Sequence, residues 1–135
     1  MRKFFAGVAT LQMLAVVAVF FLAASGAFDT APNDESFQPH RALGGGTVLI
    51  AVLVTVVAAI ARMPGRLIGM SGLVAGLVLV QFVIKAIATA LDGTGGGLLF
   101  GLHAVNGLAI VAVTGNIIRQ ARQLTSPATA TRQAS

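Results

Sequence analysis

Four long apolar stretches dominate this chain and restrict what it can fold into. They run over residues 4–28, 39–61, 67–91 and 97–118. A helix needs about 20 mostly apolar residues to cross the hydrocarbon core of a bilayer, so each stretch is long enough. Only 10% of the chain is charged, against about 25% in a soluble domain. We therefore predict an all-α protein of the lipid bilayer, a four-helix transmembrane bundle.

The connections between the stretches are short and leave room for one domain. We expect that domain to cover residues 1–124. The remaining residues, 125–135, are rich in Ser, Thr, Ala and Pro and predict a disordered cytoplasmic tail. Residues 92–96 predict a tight turn, because three of the five are glycine.

The charged residues outside the apolar stretches predict the orientation. In a four-pass topology one side receives the basic residues Arg2, Lys3, Arg62, Arg66, Arg119, Arg122 and Arg132. The other side receives every acidic residue. Because Lys and Arg collect on the cytoplasmic side, both termini are expected in the cytoplasm. The first stretch is longer than the ~7–15 apolar residues of a signal peptide, although the small residues at 24–27 also fit a cleavage site.

The second and fourth stretches open with the same pattern, F-x-x-H-x-x-x-G. It starts at Phe37 in one case and at Phe100 in the other. The first and third stretches each carry a glutamine, Gln12 and Gln81, in similar surroundings. These matches predict an internal repeat of two parallel helical hairpins, related by a pseudo-twofold axis along the membrane normal. Interhelical hydrogen bonding is the simplest role for the two glutamines.

The repeat places two histidines, His40 and His103, at similar depth in the outer half of the bundle. Facing imidazoles are what a buried b-type haem requires, since its iron takes one on each side of the ring. Gly44 and Gly107 lie one turn further along the same helix faces. Their missing side chains would let a flat macrocycle come close.

Two basic residues extend this haem hypothesis. Arg41 and Lys85 lie near the outer surface, where they would meet the haem propionates. Other interpretations stay open: Lys85 is also explained by its ammonium reaching the outer headgroups. His103 is also explained by a bond to Gln81, to Asn106 or to a carbonyl, and the glycines by helix packing.

Several classes of function are disfavoured. The apolar stretches contain no Asp or Glu, as a proton-coupled exporter would need. No catalytic motif is present, so we expect no enzyme activity. Tyr, Trp and Cys are absent, and the basic residues are scattered, which disfavours nucleic acid as a partner.

The two stretches 37–44 and 102–108 resemble a group of small four-helix membrane proteins common in actinobacteria, whose function is unknown. The resemblance covers residues 4–122 and implies a bacterial inner (cytoplasmic) membrane protein. More loosely, the paired histidines look like those of b-type cytochromes. Such cytochromes commonly carry four histidine ligands for two haems, so this chain would hold at most one.

Two functions follow from these observations. The first is a structural or accessory membrane subunit that packs against itself or a larger membrane complex. The alternative is a haem-binding electron-transfer protein with His40 and His103 as iron ligands. A small transporter or channel ranks third.

Overall fold

The computed structural model describes residues 1–91 and 94–125. Within these residues it contains four long helices, one short helix and no strand. The helices are α1 (Arg2–Ala27), α2 (Asn33–Ser36), α3 (Gln38–Ile60), α4 (Gly65–Ala90) and α5 (Thr94–Gln123). Each long helix is apolar and long enough to cross a membrane. The predicted all-α, four-helix transmembrane fold is confirmed, and the chain is a multi-pass membrane protein by the length and composition of its helices.

The long helices follow the predicted stretches within a few residues, except at α5. This helix begins at Thr94 and ends at Gln123, beyond the apolar stretch on both sides. Hydropathy marks where a segment is apolar, whereas a helix continues wherever its backbone bonds are satisfied. The turn predicted over 92–96 is therefore wrong for Thr94 to Gly96, and Asp92 and Gly93 lie outside the described residues.

The short helix α2 lies in the connection between the first two apolar stretches, where hydropathy indicates no helix. Pro32 precedes it, and the Pro32 carbonyl accepts hydrogen bonds from the backbone N–H groups of Glu35 and Ser36. Gly26, near the end of α1, lies against the backbone of Ser36, because a Cβ at Gly26 would be 2.7 Å from the Ser36 carbonyl oxygen. This contact fixes α2 against the end of α1.

The four long helices form a square in cross-section. Helix α1 packs against α3 and α5, and α4 packs against the same two helices. In the described residues the main chains of α1 and α4 do not come close to each other, and neither do those of α3 and α5, so each of these pairs occupies a diagonal. Two hairpins related by an axis along the membrane normal would have this arrangement. The internal repeat itself stays a prediction.

The two ends of the bundle differ in packing. At the terminal end, where α1 and α4 begin and α3 and α5 end, apolar side chains fill the centre. Five of them, Phe5, Ala58, Leu67, Ile117 and Ala121, are each at most 1% exposed. We call this group the apolar plug. The opposite end carries α2 and is called the α2 end; there the centre holds polar side chains and a cavity.

The predicted domain boundary and tail receive no test. The structure follows the chain to Thr125, and residues 126–135 lie outside the described part. The four-helix domain over 1–124 and the disordered tail over 125–135 stay predictions.

Candidate functional site

A cavity occupies the centre of the bundle at the α2 end. It has two adjoining lobes, a deeper lobe of about 150 Å³ and a wider lobe of about 740 Å³. Small-molecule sites in proteins commonly measure about 300–1,000 Å³. All six residues that the sequence predicts for a site line the deeper lobe: His40, Arg41, Gly44, Lys85, His103 and Gly107.

The two histidines face each other across the cavity. His40 belongs to α3 and His103 to α5, two helices on a diagonal of the square. Their ring centroids are 6.2 Å apart and the ring planes are inclined by 52°. The structure therefore brings together the pair that the sequence places at similar depth.

The ring of His40 is held by a neighbouring helix. Its Nδ1 lies 3.0 Å from the carbonyl oxygen of Val19 on α1. A carbonyl only accepts, so Nδ1 carries the proton and donates this hydrogen bond. In the neutral ring the other nitrogen, Nε2, then keeps its lone pair and is free to bind a metal.

The ring of His103 is held by stacking. It lies parallel to the ring of Phe100, with centroids 5.1 Å apart and planes within 3°. It also lies within hydrogen-bonding reach of the main chain of Gln81, which agrees with the interpretation that His103 bonds to a carbonyl, although its Nδ1 is buried and has no hydrogen bond of ordinary geometry. The Asn106 amide donates to the main-chain carbonyl of Leu77 on α4 at 2.8 Å instead of bonding to His103.

The two glycines have different surroundings. A Cβ at Gly44 would meet nothing within 4 Å, so this residue leaves the deeper lobe open. A Cβ at Gly107 would lie 2.8 Å from Cζ of Phe20. Gly107 therefore accommodates the Phe20 ring. No pattern in the sequence indicates that contact, since Phe20 and Gly107 are 87 positions apart in the chain.

The two basic residues lie at the mouth of the cavity. The guanidinium of Arg41 donates a hydrogen bond to the main-chain carbonyl of Asp34. It also lies 3.9 Å from a carboxylate oxygen of the same residue. The Asp34 side chain is fully exposed, so this ion pair adds little stability. The Lys85 ammonium forms no ion pair with any described residue and lines both lobes.

The glutamines do not behave as the sequence suggests. Both amide atoms of Gln12 are buried without a partner, and so is Oε1 of Gln81. The predicted interhelical hydrogen bonds of Gln12 are therefore wrong, as is any bond through the Gln81 carbonyl. Gln81 instead lines both lobes of the cavity, a placement that sequence reasoning missed.

The donor set restricts the kind of metal that fits. In residues 1–91 and 94–125 no three His, Cys, Asp or Glu side chains come together. A zinc ion held by protein needs three or four such ligands. Two facing imidazoles suit instead an iron whose other ligands come from a macrocycle.

Comparison with known proteins gives one finding. The model of a family of unknown function (DUF6220) matches residues 20–90, which include His40, Gly44 and Lys85. No curated protein and no solved structure matches the chain. Since the match covers more than half of its 135 residues, the chain belongs to this family of unknown function.

Proposed function

We propose that this protein binds one b-type haem between His40 and His103 and uses it to carry single electrons. The main support for this proposal is the pair of imidazoles. They come from diagonal helices and face each other across a cavity, with ring centroids 6.2 Å apart. A structural subunit with no ligand would have no need of this arrangement.

The spacing of the rings agrees with iron ligation. Metal–imidazole bonds measure about 2.0–2.1 Å, so two nitrogens on opposite sides of one metal lie about 4 Å apart. The ring centroids are then roughly 6 Å apart when both nitrogens point at the metal. The hydrogen bond from His40 Nδ1 to Val19 is the kind of support that a ligating histidine usually has.

The remaining lining of the cavity also suits a haem. Its walls are apolar near Val16, Val78 and Ile110, each at most 6% exposed. At the mouth, Arg41 and Lys85 supply two positive charges for two propionates. An Arg guanidinium has five N–H donors, so its bond to Asp34 leaves others for a carboxylate. Without cysteine, the attachment is non-covalent.

The proposal includes a location and an activity. The protein lies in the bacterial cytoplasmic membrane with both termini in the cytoplasm, and the cavity then opens in the outer half of the bilayer. The one-sided distribution of Lys and Arg supports this orientation. A haem iron with two histidine ligands supplies one-electron exchange, so the role is an electron carrier and not an enzyme with a substrate.

An absorption spectrum of the detergent-purified protein tests the proposal. The protein from haem-replete cells, or the apo-protein after addition of haemin, should show a Soret band typical of a six-coordinate haem. His40→Ala and His103→Ala should each lose that spectrum, whereas Asn116→Ala, on α5 outside the cavity, should keep it. A wild-type protein that stays colourless and takes up no added haemin refutes the proposal.

A second candidate function, an accessory subunit, has its own supporting observation. Gly69, Gly72 and Gly76 recur at helical spacing on α4, and a Cβ at any of them would meet nothing within 4 Å. Such a row lets another transmembrane helix approach closely. The partner would be a second copy or a larger membrane complex.

Cross-linking in native membranes tests this second candidate. Gly72→Ile and Gly76→Ile should weaken any cross-linked species, and Gly7→Ile, on α1, should not. A wild-type protein that gives only monomer at every cross-linker length contradicts it.

A further inference from the structure

Two buried polar atoms beside the deeper lobe have no partner, and they are complementary. Nδ1 of His103 is a donor whenever the other ring nitrogen binds a metal, and Oε1 of Gln81 is an acceptor. Both are buried and unbonded in the structure. Leaving such groups unpaired in a buried place is unfavourable. The donor on His103 therefore lacks an acceptor, and the acceptor on Gln81 lacks a donor.

The amide of Gln81 lies within reach of the His103 ring. Its Nε2 would be 3.4 Å from a Cβ at Gly107. Gly107 is four residues from His103 on the same face of α5, and such positions are about 5–6 Å apart. The main chain of Gln81 also lies beside the His103 ring. Gln81 therefore contacts the part of α5 that carries His103 through both its side chain and its main chain.

We infer that Gln81 is the positioning residue for His103: its Oε1 accepts the Nδ1–H hydrogen bond when Nε2 of His103 binds the haem iron. The inference rests on the proposed haem function. With this hydrogen bond, both histidine ligands would donate their second N–H to a carbonyl. The acceptor is the main-chain carbonyl of Val19 for His40 and the side-chain carbonyl of Gln81 for His103. Ligating histidines almost always donate their second N–H in this way, which fixes the ring and raises its basicity.

Two substitutions of opposite electronic effect test the inference. Gln81→Leu removes the acceptor, so His103 becomes a weaker donor to the ferric iron, and the reduction potential should rise. Gln81→Glu supplies a stronger acceptor, and the potential should fall. Loss of such a supporting group typically lowers metal affinity 10- to 100-fold, so haemin should bind Gln81→Leu more weakly by a factor in that range.

The matched control is Gln12→Leu, which replaces another buried glutamine outside the cavity lining. It should leave haemin affinity and potential unchanged. Size-exclusion chromatography of each variant identifies any loss of fold. If Gln81→Leu does not fold, the reduction potential of Gln81→Glu still tests the inference.

The possible outcomes distinguish failure of the positioning role from failure of the haem function. Opposite shifts of potential in the two Gln81 variants support the positioning role. If the wild type binds haemin and both variants keep its potential and affinity, the positioning role fails and the haem function stands. Shifts in the same direction also overturn it, because general disturbance of the site would cause them. A wild type that binds no haemin overturns both.

Discussion

Replacement of Gly44 by leucine should block the cavity without loosening the bundle. Gly44 borders the deeper lobe, whose volume is only about 150 Å³. A Cβ at this position has open space around it, so the new side chain can extend into the lobe. Inside a helix, leucine is also more favourable than glycine by roughly 0.5–1 kcal/mol. We therefore expect unchanged or slightly higher thermal stability.

The expected loss of ligand affinity follows from overfilling the lobe. Extra carbon atoms forced into an occupied site typically cost about 1–3 kcal/mol. Since 1.4 kcal/mol is tenfold in affinity, haemin should bind Gly44→Leu about 5- to 150-fold more weakly. Gly44→Ala, with a single added carbon, should show a smaller effect.

Haemin titration in detergent, followed at the Soret band, measures this prediction. The control is Gly45→Leu: a Cβ at Gly45 also has open space, but it points about 100° away around the helix. The reasoning is refuted if Gly44→Leu binds haemin as tightly as the wild type. It is equally refuted if the Gly45 variant loses as much affinity.

Two further predictions concern the α2 connection and the orientation. Gly26→Ala should lower stability by about 1–3 kcal/mol, because its Cβ would be 2.7 Å from the Ser36 carbonyl oxygen. Gly7→Ala should not lower stability, because a Cβ at Gly7 would meet nothing within 4 Å. Unfolding in denaturing detergent measures the stability of both variants, and equal stabilities would contradict the contact between Gly26 and Ser36. The chain has no cysteine, so Glu35→Cys should react with an impermeant thiol reagent in intact cells and Gly65→Cys only after lysis. The reverse pattern would invert the predicted topology.

Much of the fold was predictable because the bilayer imposes a simple length requirement. Apolar stretches of about 20 residues locate spanning helices without knowledge of any tertiary contact, so the four long helices match the prediction closely. The ends of α5 and the turn of α2 were missed, since they depend on local backbone bonds and not on hydropathy. The bond from Ser36 to Pro32 is one example.

The candidate site was predictable in part. The recurrence of F-x-x-H-x-x-x-G indicated that His40 and His103 lie at similar depth, and the structure places both at one cavity. The stacking of His103 on Phe100 is local, but the contact of His40 with Val19 and that of Gly107 with Phe20 join residues far apart in the chain. Sequence periodicity on a single helix carries no information about the Val19 carbonyl or the Phe20 ring. The unpaired state of Gln81 likewise depends on how the helices rotate about their axes.

The apolar plug closes one end of the bundle, so the cavity lies towards the α2 end. The plug blocks the centre of the terminal end with side chains that are almost completely buried, whereas the cavity reaches the surface near Asp34 and Lys85. The α2 end is therefore the place where a ligand of the cavity would meet polar and charged side chains. If the proposed haem is bound, its exchange of electrons would therefore take place at the membrane face on which the α2 end lies.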